Sequence, residues 1–190
     1  MKGWSLVYDG FDPAQERLRE SLCTLGNGYF ATRGAAPESP AGRIHYPGTY
    51  IAGCYNRLPT EIAGRELVHE DLVNAPNWLP VTFRATGGAW FSLEGVDLLA
   101  YRQELDVRRG LLTRDIRFRD EDGRTTRVRD RRFVHMQLPH LAALETTVTP
   151  EDWSGRLEFR VALDGRIVNG LVERYRDLAN QHLEPLEAME

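Results

Sequence analysis

The sequence predicts a mainly β protein with the architecture of an antiparallel β-sandwich. Three observations support this class. From residue 81 onward, apolar and polar residues alternate with a period of two; short Gly/Asp turns join the alternating segments; and no βαβ rhythm is present. The 190 residues, of which 42% are hydrophobic and 27% charged, are enough to form a substantial core.

The first 34 residues are predicted to contain a short strand, one short helix and a hairpin. Residues 4–8 form the strand. Asp12-Pro13 followed by Gln15 matches a capped helix start, which predicts a helix of about two turns ending before residue 22. Asn27-Gly28 predicts a tight turn, because both residues tolerate positive φ.

Residues 35–71 carry scattered Pro and Gly without sustained periodicity. They are expected to run over the surface, apart from one strand within residues 48–55. Long irregular segments of this kind are often functional or face a partner.

Residues 72–83, which read LVNAPNWLPVTF, are predicted to organise the chain. The two prolines fix φ and disfavour helix in the residues before them. Asn74 and Asn77 are expected to close Asx-type turns on their own backbone. The result is a stiff, kinked loop that presents Trp78 and leads into a strand at residues 81–83.

The remainder of the chain is predicted to form successive strands. Arginines occupy most of one face of residues 125–136, which weakens the alternation there, and Pro139 ends this strand. In each of the remaining predicted strands, alternate residues are expected to share one face. Strand by strand, these residues are Phe91 and Leu93; Tyr101, Gln103, Leu105 and Val107; Leu112, Arg114, Ile116 and Phe118; Ala142, Leu144, Thr146 and Val148; and Leu157, Phe159, Val161 and Leu163.

The sandwich domain is predicted to span residues 1–172, and a polar, mostly acidic tail spans residues 173–190. Few residues of the tail could seal the edge of a sandwich. The fold is therefore expected to be incomplete at its C-terminus, where further strands would begin and a strand edge or core face would stay open.

The charge pattern argues against a nucleic-acid partner, because the net charge is −4. Residues 102–132 contain eleven arginines and seven acids. A solvated sheet face in which these arginines pair with acids is favoured over contacts with phosphates. No apolar run is long enough for a signal peptide or a membrane span, so a cytoplasmic protein without a membrane partner is expected.

No catalytic constellation is predicted. Carboxylates are abundant, but nothing marks two of them as facing each other across a substrate. The histidines, which are His45, His69, His135, His140 and His182, match no metal-ligand spacing. His69-Glu70-Asp71 is interpreted as a solvated turn rather than as a cluster that binds a metal or a sugar hydroxyl.

Aromatic residues are the remaining candidates for binding. Trp78 could stack on a sugar ring, and hydrogen bonds from nearby side chains could help. Alternatively, Trp78 fills a hydrophobic gap between this domain and another, which is the favoured interpretation. The candidate substrate-binding or interface residues are Asn74, Asn77, Trp78, Tyr50 and Tyr55.

Several motifs occur in a fixed order over most of residues 11–175. They are Leu25-Gly26-Asn27-Gly28-Tyr29 with Thr32-Arg33-Gly34, Gly48 to Tyr55, Leu72 to Pro80, Phe91-Ser92-Leu93, Tyr101 to Asp106, Gly110 to Arg114, Val148 to Gly155, and Asp164-Gly165-Arg166 with Asn169. Together these motifs resemble the N-terminal domain of glycoside hydrolase family 65.

The resemblance implies a galactose-mutarotase-like supersandwich that packs on a separate catalytic barrel of paired α-helices. The family contains maltose, trehalose, kojibiose and nigerose phosphorylases and some glucoside hydrolases. Its phosphorylases act by inverting phosphorolysis, in which a glutamic acid protonates the leaving oxygen while phosphate attacks the opposite face of the sugar. That glutamate and the phosphate site belong to the barrel. The resemblance therefore implies no catalytic residue and no cofactor here, with phosphate as co-substrate of the parent enzyme. A homodimer is also considered as an assembly, although the sequence does not determine the oligomeric state.

Two functions follow from these observations. The first is a non-catalytic domain of an enzyme acting on α-glucosides, which packs on the barrel and shapes its active-site entrance through Asn74 to Trp78. The alternative is a stand-alone carbohydrate-binding module that uses Trp78 and neighbouring tyrosines. A nucleic-acid contact through the arginine-rich strands is a weaker third option.

Overall fold

The computed structural model of the chain describes residues 3–170, 177–187 and 189. Within them the protein is mainly antiparallel β-structure with one α-helix, which confirms the predicted fold class. The helix is α1 (Glu16–Leu22), and Leu93–Gly95 forms a 3-10 helix. The strands are β1 (Ser5–Asp9), β2 (Leu25–Gly26), β3 (Phe30–Thr32), β4 (Thr49–Ile51), β5 (Tyr55–Ile62), β6 (Arg65–Leu72), β7 (Val81–Ala85), β8 (Asp97–Asp106), β9 (Leu111–Arg119), β10 (Thr125–Val134), β11 (Ala142–Pro150) and β12 (Leu157–Val161).

A five-stranded antiparallel sheet in the order β1-β8-β9-β10-β11 forms the body of the domain. Because side chains alternate across a strand, one face is buried in β9, in β10 and in the second half of β8. Tyr101 of β8 lies opposite Ile116 of β9, which lies opposite Val128 of β10, and all three are buried. The shared faces predicted for β8 and β9 are confirmed, except that Val107 lies beyond β8 and is exposed.

Smaller sheets cover the inner face of the large sheet and form two apolar cores. The pair β7–β12 covers one part, where Phe83 and Phe91 pack on Phe118 and its neighbours. The ring centroids of Phe91 and Phe118 are 4.6 Å apart. The sheet β2-β3-β4 and helix α1 cover the other part, where Cys23 and Leu25 pack on the large sheet. Burial of these side chains supplies the main driving force for folding.

Within residues 33–48 most side chains are buried or half-buried, contrary to the predicted surface excursion, and residues 40–43 are exposed. Ala35 is fully enclosed, and His45 and Tyr46 are also buried. The Glu20 carboxylate accepts the Tyr46 N–H at 2.9 Å, and Arg33 Nε donates to the Tyr46 carbonyl oxygen at 2.8 Å. An irregular segment can enter the interior when its polar groups find partners there, and such a segment needs no hydrophobic period.

Three further local predictions are wrong. Residues 90–94 do not form a strand, because the Phe91 N–H bonds back to the Phe83 carbonyl at 2.8 Å and the chain then enters the 3-10 helix. Helix α1 begins at Glu16, after a turn in which Asp12 accepts the Ala14 N–H. Residues 55–72 form the hairpin β5–β6, which was not predicted because much of both arms is exposed and polar.

The turn predicted at Asn27-Gly28 is confirmed, since it joins β2 to β3 and Gly28 has φ of +89°. Glycine adopts this backbone conformation without steric cost.

The arginines of β9 and β10 divide between two environments. On the exposed face Arg127 pairs with Asp115 and Arg131 with Glu145, which confirms the predicted ion-paired face. Arg114, however, is buried and donates to both oxygens of Glu38 at 2.7 and 2.6 Å.

Arg114 also donates to Asp130, so one guanidinium holds two carboxylates. Burial alone would lower the pKa of Arg114, but the two carboxylates raise it well above its ordinary value. Arg132 is buried nearby, and its Nη1 has no hydrogen-bond partner among the described residues. Burial and the charge of Arg114 lower the pKa of Arg132 to about 10.

Part of the predicted tail lies outside the described residues, which omit residues 171–176, 188 and 190. Residues 177–187 contain no strand, and Ala179 and His182 contact the hairpin β5–β6. The Ala179 N–H donates to Thr60 Oγ1 at 2.9 Å, and the Ala179 carbonyl oxygen lies 2.9 Å from the His69 ring nitrogen. The domain limit at residue 172 stays a prediction.

Gly34→Ala is expected to destabilise the fold by about 1–3 kcal/mol. A Cβ at this position would lie 2.6 Å from the Cys23 Cβ and 3.1 Å from the Cys23 carbonyl oxygen. Urea unfolding followed by tryptophan fluorescence measures the change. Gly42→Ala is the matched control, because nothing lies within 4 Å of the Cβ that it would add. Equal unfolding free energies for the two variants would contradict this packing.

The two cysteines are expected to differ in reactivity. Burial raises the pKa of the Cys23 thiol to about 11, whereas Cys54 is exposed. The folded-state pKa lies above the value of about 8.5 in an unfolded chain. The neutral Cys23 thiol therefore stabilises the fold fully below that pH, and its contribution is lost as the pH rises towards 11.

The measurement is modification by a thiol reagent at about pH 8, where the thiolate is the reactive form. One cysteine is expected to react in the native protein and both in urea. In Cys54→Ser the native protein should stay unmodified. Rapid modification of Cys23 in the folded variant would show that this prediction is wrong.

Candidate functional site

Residues 73–80 form an irregular loop between β6 and β7, as predicted. The loop is fixed to distant parts of the chain on both sides. The Ala75 N–H donates to the Thr49 carbonyl at 2.8 Å, and Asn77 and Asp164 exchange backbone hydrogen bonds at 2.8 and 2.9 Å. Tertiary hydrogen bonds therefore hold the loop in place, in addition to its prolines.

Asn74 is buried, and its amide is used entirely inside the domain. Oδ1 accepts the Thr49 N–H at 2.9 Å, and Nδ2 lies 3.3 Å from both the Pro47 and the Val168 carbonyl oxygens. The Asn74 N–H donates to Asn169 Oδ1 at 2.9 Å. The predicted Asx turn at Asn74 is therefore wrong, because the amide joins segments distant in sequence.

Asn77 forms the predicted Asx turn, since its Oδ1 accepts the Leu79 N–H at 3.1 Å. This side chain is also buried, with 5% of its surface exposed. Trp78, which follows it, is half-buried and meets the edge of Phe30 at a centroid distance of 6.3 Å. Its Nε1 is enclosed and has no hydrogen-bond partner among the described residues. Of the loop candidates, Trp78 thus keeps an unused donor.

The two tyrosine candidates lie in different environments. Tyr50 is half-buried, and burial together with the neighbouring Tyr46 raises the pKa of its hydroxyl. Tyr55 begins the hairpin β5–β6, and 60% of its surface is exposed. No hydrogen bond or aromatic contact joins Tyr55 to Trp78 in the part of the chain that the structure describes. A shared binding or interface role for the five candidates stays a prediction.

A row of apolar side chains on and after β12 is exposed. Phe159, Val161 and Leu163 expose 52%, 72% and 71% of their surface. Among the described strands, β12 pairs only with β7, so its other edge is open. The alternation predicted that these residues share a face, whereas the incomplete fold expected at the C-terminus stays a prediction.

Glu20 and His45 form a buried pair that the sequence did not reveal. Glu20 Oε1 lies 2.8 Å from His45 Nδ1, and only 1% of the Glu20 surface is exposed. The one signal in the sequence is the spacing of Glu16 and Glu20 on a single helix face, which is turned towards the interior. Burial raises the pKa of Glu16, and Arg19 opposes this effect.

His69 does not lie in a solvated turn. It is on β6, and its Nε2 lies 3.2 Å from Asp71 Oδ2. Among residues 3–170 and 177–187, no group of three His, Cys, Asp or Glu side chains is placed to hold a metal ion.

No helix in the described part of the chain has the length and apolar character needed to cross a bilayer.

Comparison with known proteins places the chain in a family. Residues 6–190 match the family model described as "Glycosyl hydrolase family 65, N-terminal domain". The chain belongs to glycosyl hydrolase family 65. The match extends over nearly the whole sequence, which confirms the resemblance found in the motifs.

Relatives of this family 65 domain are much longer proteins. An uncharacterized glycosyl hydrolase of Mycobacterium tuberculosis is 54% identical over 97% of this chain, which spans 14% of that protein. Trehalose 6-phosphate phosphorylase of Lactococcus lactis is 30% identical over 96% of this chain, which spans 23% of the enzyme. Kojibiose phosphorylase of Thermoanaerobacter brockii is 28% identical over 87%, and the chain spans 20% of it.

A solved structure shares the fold of this family 65 domain. It is a candidate kojibiose phosphorylase from the human microbiome, with a TM-score of 0.77 and 23% identity. The alignment covers 86% of this chain and 22% of that protein.

Asn74→Ala is expected to cost about 1–3 kcal/mol of unfolding free energy, because it leaves the buried Thr49 N–H without an acceptor. Thermal and urea unfolding measure the loss. Gln137→Ala, at an exposed amide, is the control and should change stability by less than about 0.5 kcal/mol. A loss no larger than that of the control would show that the Asn74 amide does not hold the loop.

Proposed function

We propose that this chain acts as the non-catalytic N-terminal domain of a larger family 65 enzyme that acts on α-glucosides. The domain packs on the catalytic part of that enzyme and shapes its active-site entrance. The relatives named for a reaction are phosphorylases, and the chain spans only 20% and 23% of two of them. Their names support an α-linked disaccharide and phosphate as the substrates of the parent enzyme.

The exposed apolar row is the observation that carries this proposal. Val161 and Leu163 expose 72% and 71% of their surface, although they belong to a regular apolar stripe. Exposed apolar patches of this kind mark interaction sites. A partner that covered Phe159, Val161 and Leu163 would remove them from water and could also pair with the open edge of β12.

Trp78 gives no independent support for a partner, because its Nε1 is enclosed within this chain and an acceptor from another domain cannot reach it. The alternative of a stand-alone sugar-binding module has less support, because the Asn74 amide and the Asn77 Oδ1 oxygen are already engaged within the domain. A cytoplasmic location, a homodimer and the absence of a cofactor remain part of the proposal.

The test is a chimera in which this chain replaces the matching segment of the Mycobacterium tuberculosis relative. Val161→Asp is expected to lower the melting temperature of the chimera by several degrees, because the charge would be buried against the partner without compensation. In the isolated chain the same change should alter stability by less than about 0.5 kcal/mol, because Val161 is exposed there.

Thr147→Asp on the outer face of the large sheet is the control, and it should leave both proteins unchanged. If Val161→Asp and Thr147→Asp behave alike in the chimera, β12 is not an interface. The isolated chain should not convert kojibiose, trehalose or maltose with or without phosphate. Turnover by the isolated chain would contradict the non-catalytic role.

A further inference from the structure

A cleft of about 390 Å³ lies between residues 38–45 and residues 92–94, and the proposed function does not use it. Its volume falls within the range of small-molecule sites. Phe11, Ile44 and Leu93 supply apolar walls. The remaining lining is polar, so the cleft offers both kinds of contact.

The imidazole of His45 lines this cleft. Its Nδ1 is 2.8 Å from Glu20 Oε1, while the other Glu20 oxygen accepts the Tyr46 N–H at 2.9 Å and so fixes the carboxylate. In the tautomer that donates from Nδ1 to Glu20, Nε2 carries a lone pair that can accept a hydrogen bond. Nε2 has no hydrogen-bond partner among the described residues, and the ring lines the cleft. Phe11 stacks on the ring at 6.2 Å.

Four other polar side chains of the cleft are also unused. Ser39, Ser92, Arg43 and Glu94 line it, and their side chains make no hydrogen bond or ion pair with the residues that the structure describes. Glu38 lines it too, but both of its oxygens are occupied by Arg114. The unused groups therefore comprise one cation, one anion, two hydroxyls and one imidazole nitrogen, with no net charge.

The wall of the cleft is held in place before any ligand arrives. The Gly42 N–H donates to the His45 carbonyl at 2.9 Å, which closes the turn between them. Arg17 of α1 donates to the Gly42 carbonyl at 2.6 Å and ties this turn to the helix. A preorganised wall reduces the entropy lost on binding.

We propose that this cleft binds a neutral polyhydroxyl ligand of the sugar class. His45 Nε2 accepts a ligand hydroxyl, Arg43 donates to ring or hydroxyl oxygens, and Glu94 accepts a further hydroxyl. The apolar walls, among them Phe11, contact the C–H face of the ring. A phosphate or another anion is disfavoured, because Glu94 opposes Arg43 and no second free cation lines the described part of the cleft. The choice of α-glucosides as probes rests on the proposed function, but the chemistry of the cleft does not.

The test is calorimetry and saturation-transfer NMR on the 190-residue chain with glucose, maltose, trehalose and kojibiose. At least one sugar is expected to bind saturably with a Kd on the order of 1 mM. Arg43→Ala, Glu94→Ala and His45→Gln should each weaken binding by about 5-fold or more. Arg43 and Glu94 are exposed, so their variants should keep the unfolding midpoint of the parent chain.

The matched controls are Arg108→Ala and Glu66→Ala, which remove exposed charges elsewhere and should leave the Kd unchanged. Absence of saturable binding with a Kd below about 10 mM would overturn the proposal. So would binding that Trp78→Ala abolishes while the cleft variants leave it intact, since that result would assign the sugar to the loop at residues 73–80. These measurements use the isolated chain, so their outcome is separate from that of the chimera.

Discussion

Arg114 lies in the interior between the large sheet and residues 33–48, and the inner layer of the domain depends on its contacts. It donates to both oxygens of Glu38 from that segment and to Asp130 from the neighbouring strand. Removing one partner of a buried ion pair typically costs about 3–5 kcal/mol, because the other charge is left uncompensated. The irregular segment is therefore held by charge as much as by apolar contact. Its position in turn sets the wall that carries His45.

Polar contacts organise the space between the two apolar cores. The Glu20 carboxylate contacts His45 Nδ1 and accepts the Tyr46 N–H, while Arg33 Nε donates to the Tyr46 carbonyl oxygen. Each of these groups would be costly to bury alone, and each becomes tolerable because its partner is fixed. A layer built in this way has one specific arrangement. Such an arrangement suits a site that must present an imidazole nitrogen at a defined position.

The sequence predicted the parts of this fold whose cause is local. Alternation predicted β8 and β9, because their inner faces pack on a continuous core. For β12 the same alternation was correct, but a period cannot tell whether a face is covered, and Val161 is exposed. Asn74 has the local preference of a turn residue, yet its Oδ1 accepts the N–H of Thr49, which is 25 positions away. Pairing between polar residues of distant segments produces no periodic pattern in the sequence. The contact between Glu20 and His45 could therefore not be predicted from the sequence.

The contacts that fix the loop at residues 73–80 also set the order in which the domain can form. Asn74 bonds to Asn169 across 95 positions. At a translation rate of about 5–20 residues per second, the ribosome needs roughly 5–20 s to reach Asn169 after it has added Asn74. Contacts between such distant segments also close slowly, because the intervening chain must first lose its entropy. During that interval the loop and the strands beside it are available to nascent-chain chaperones.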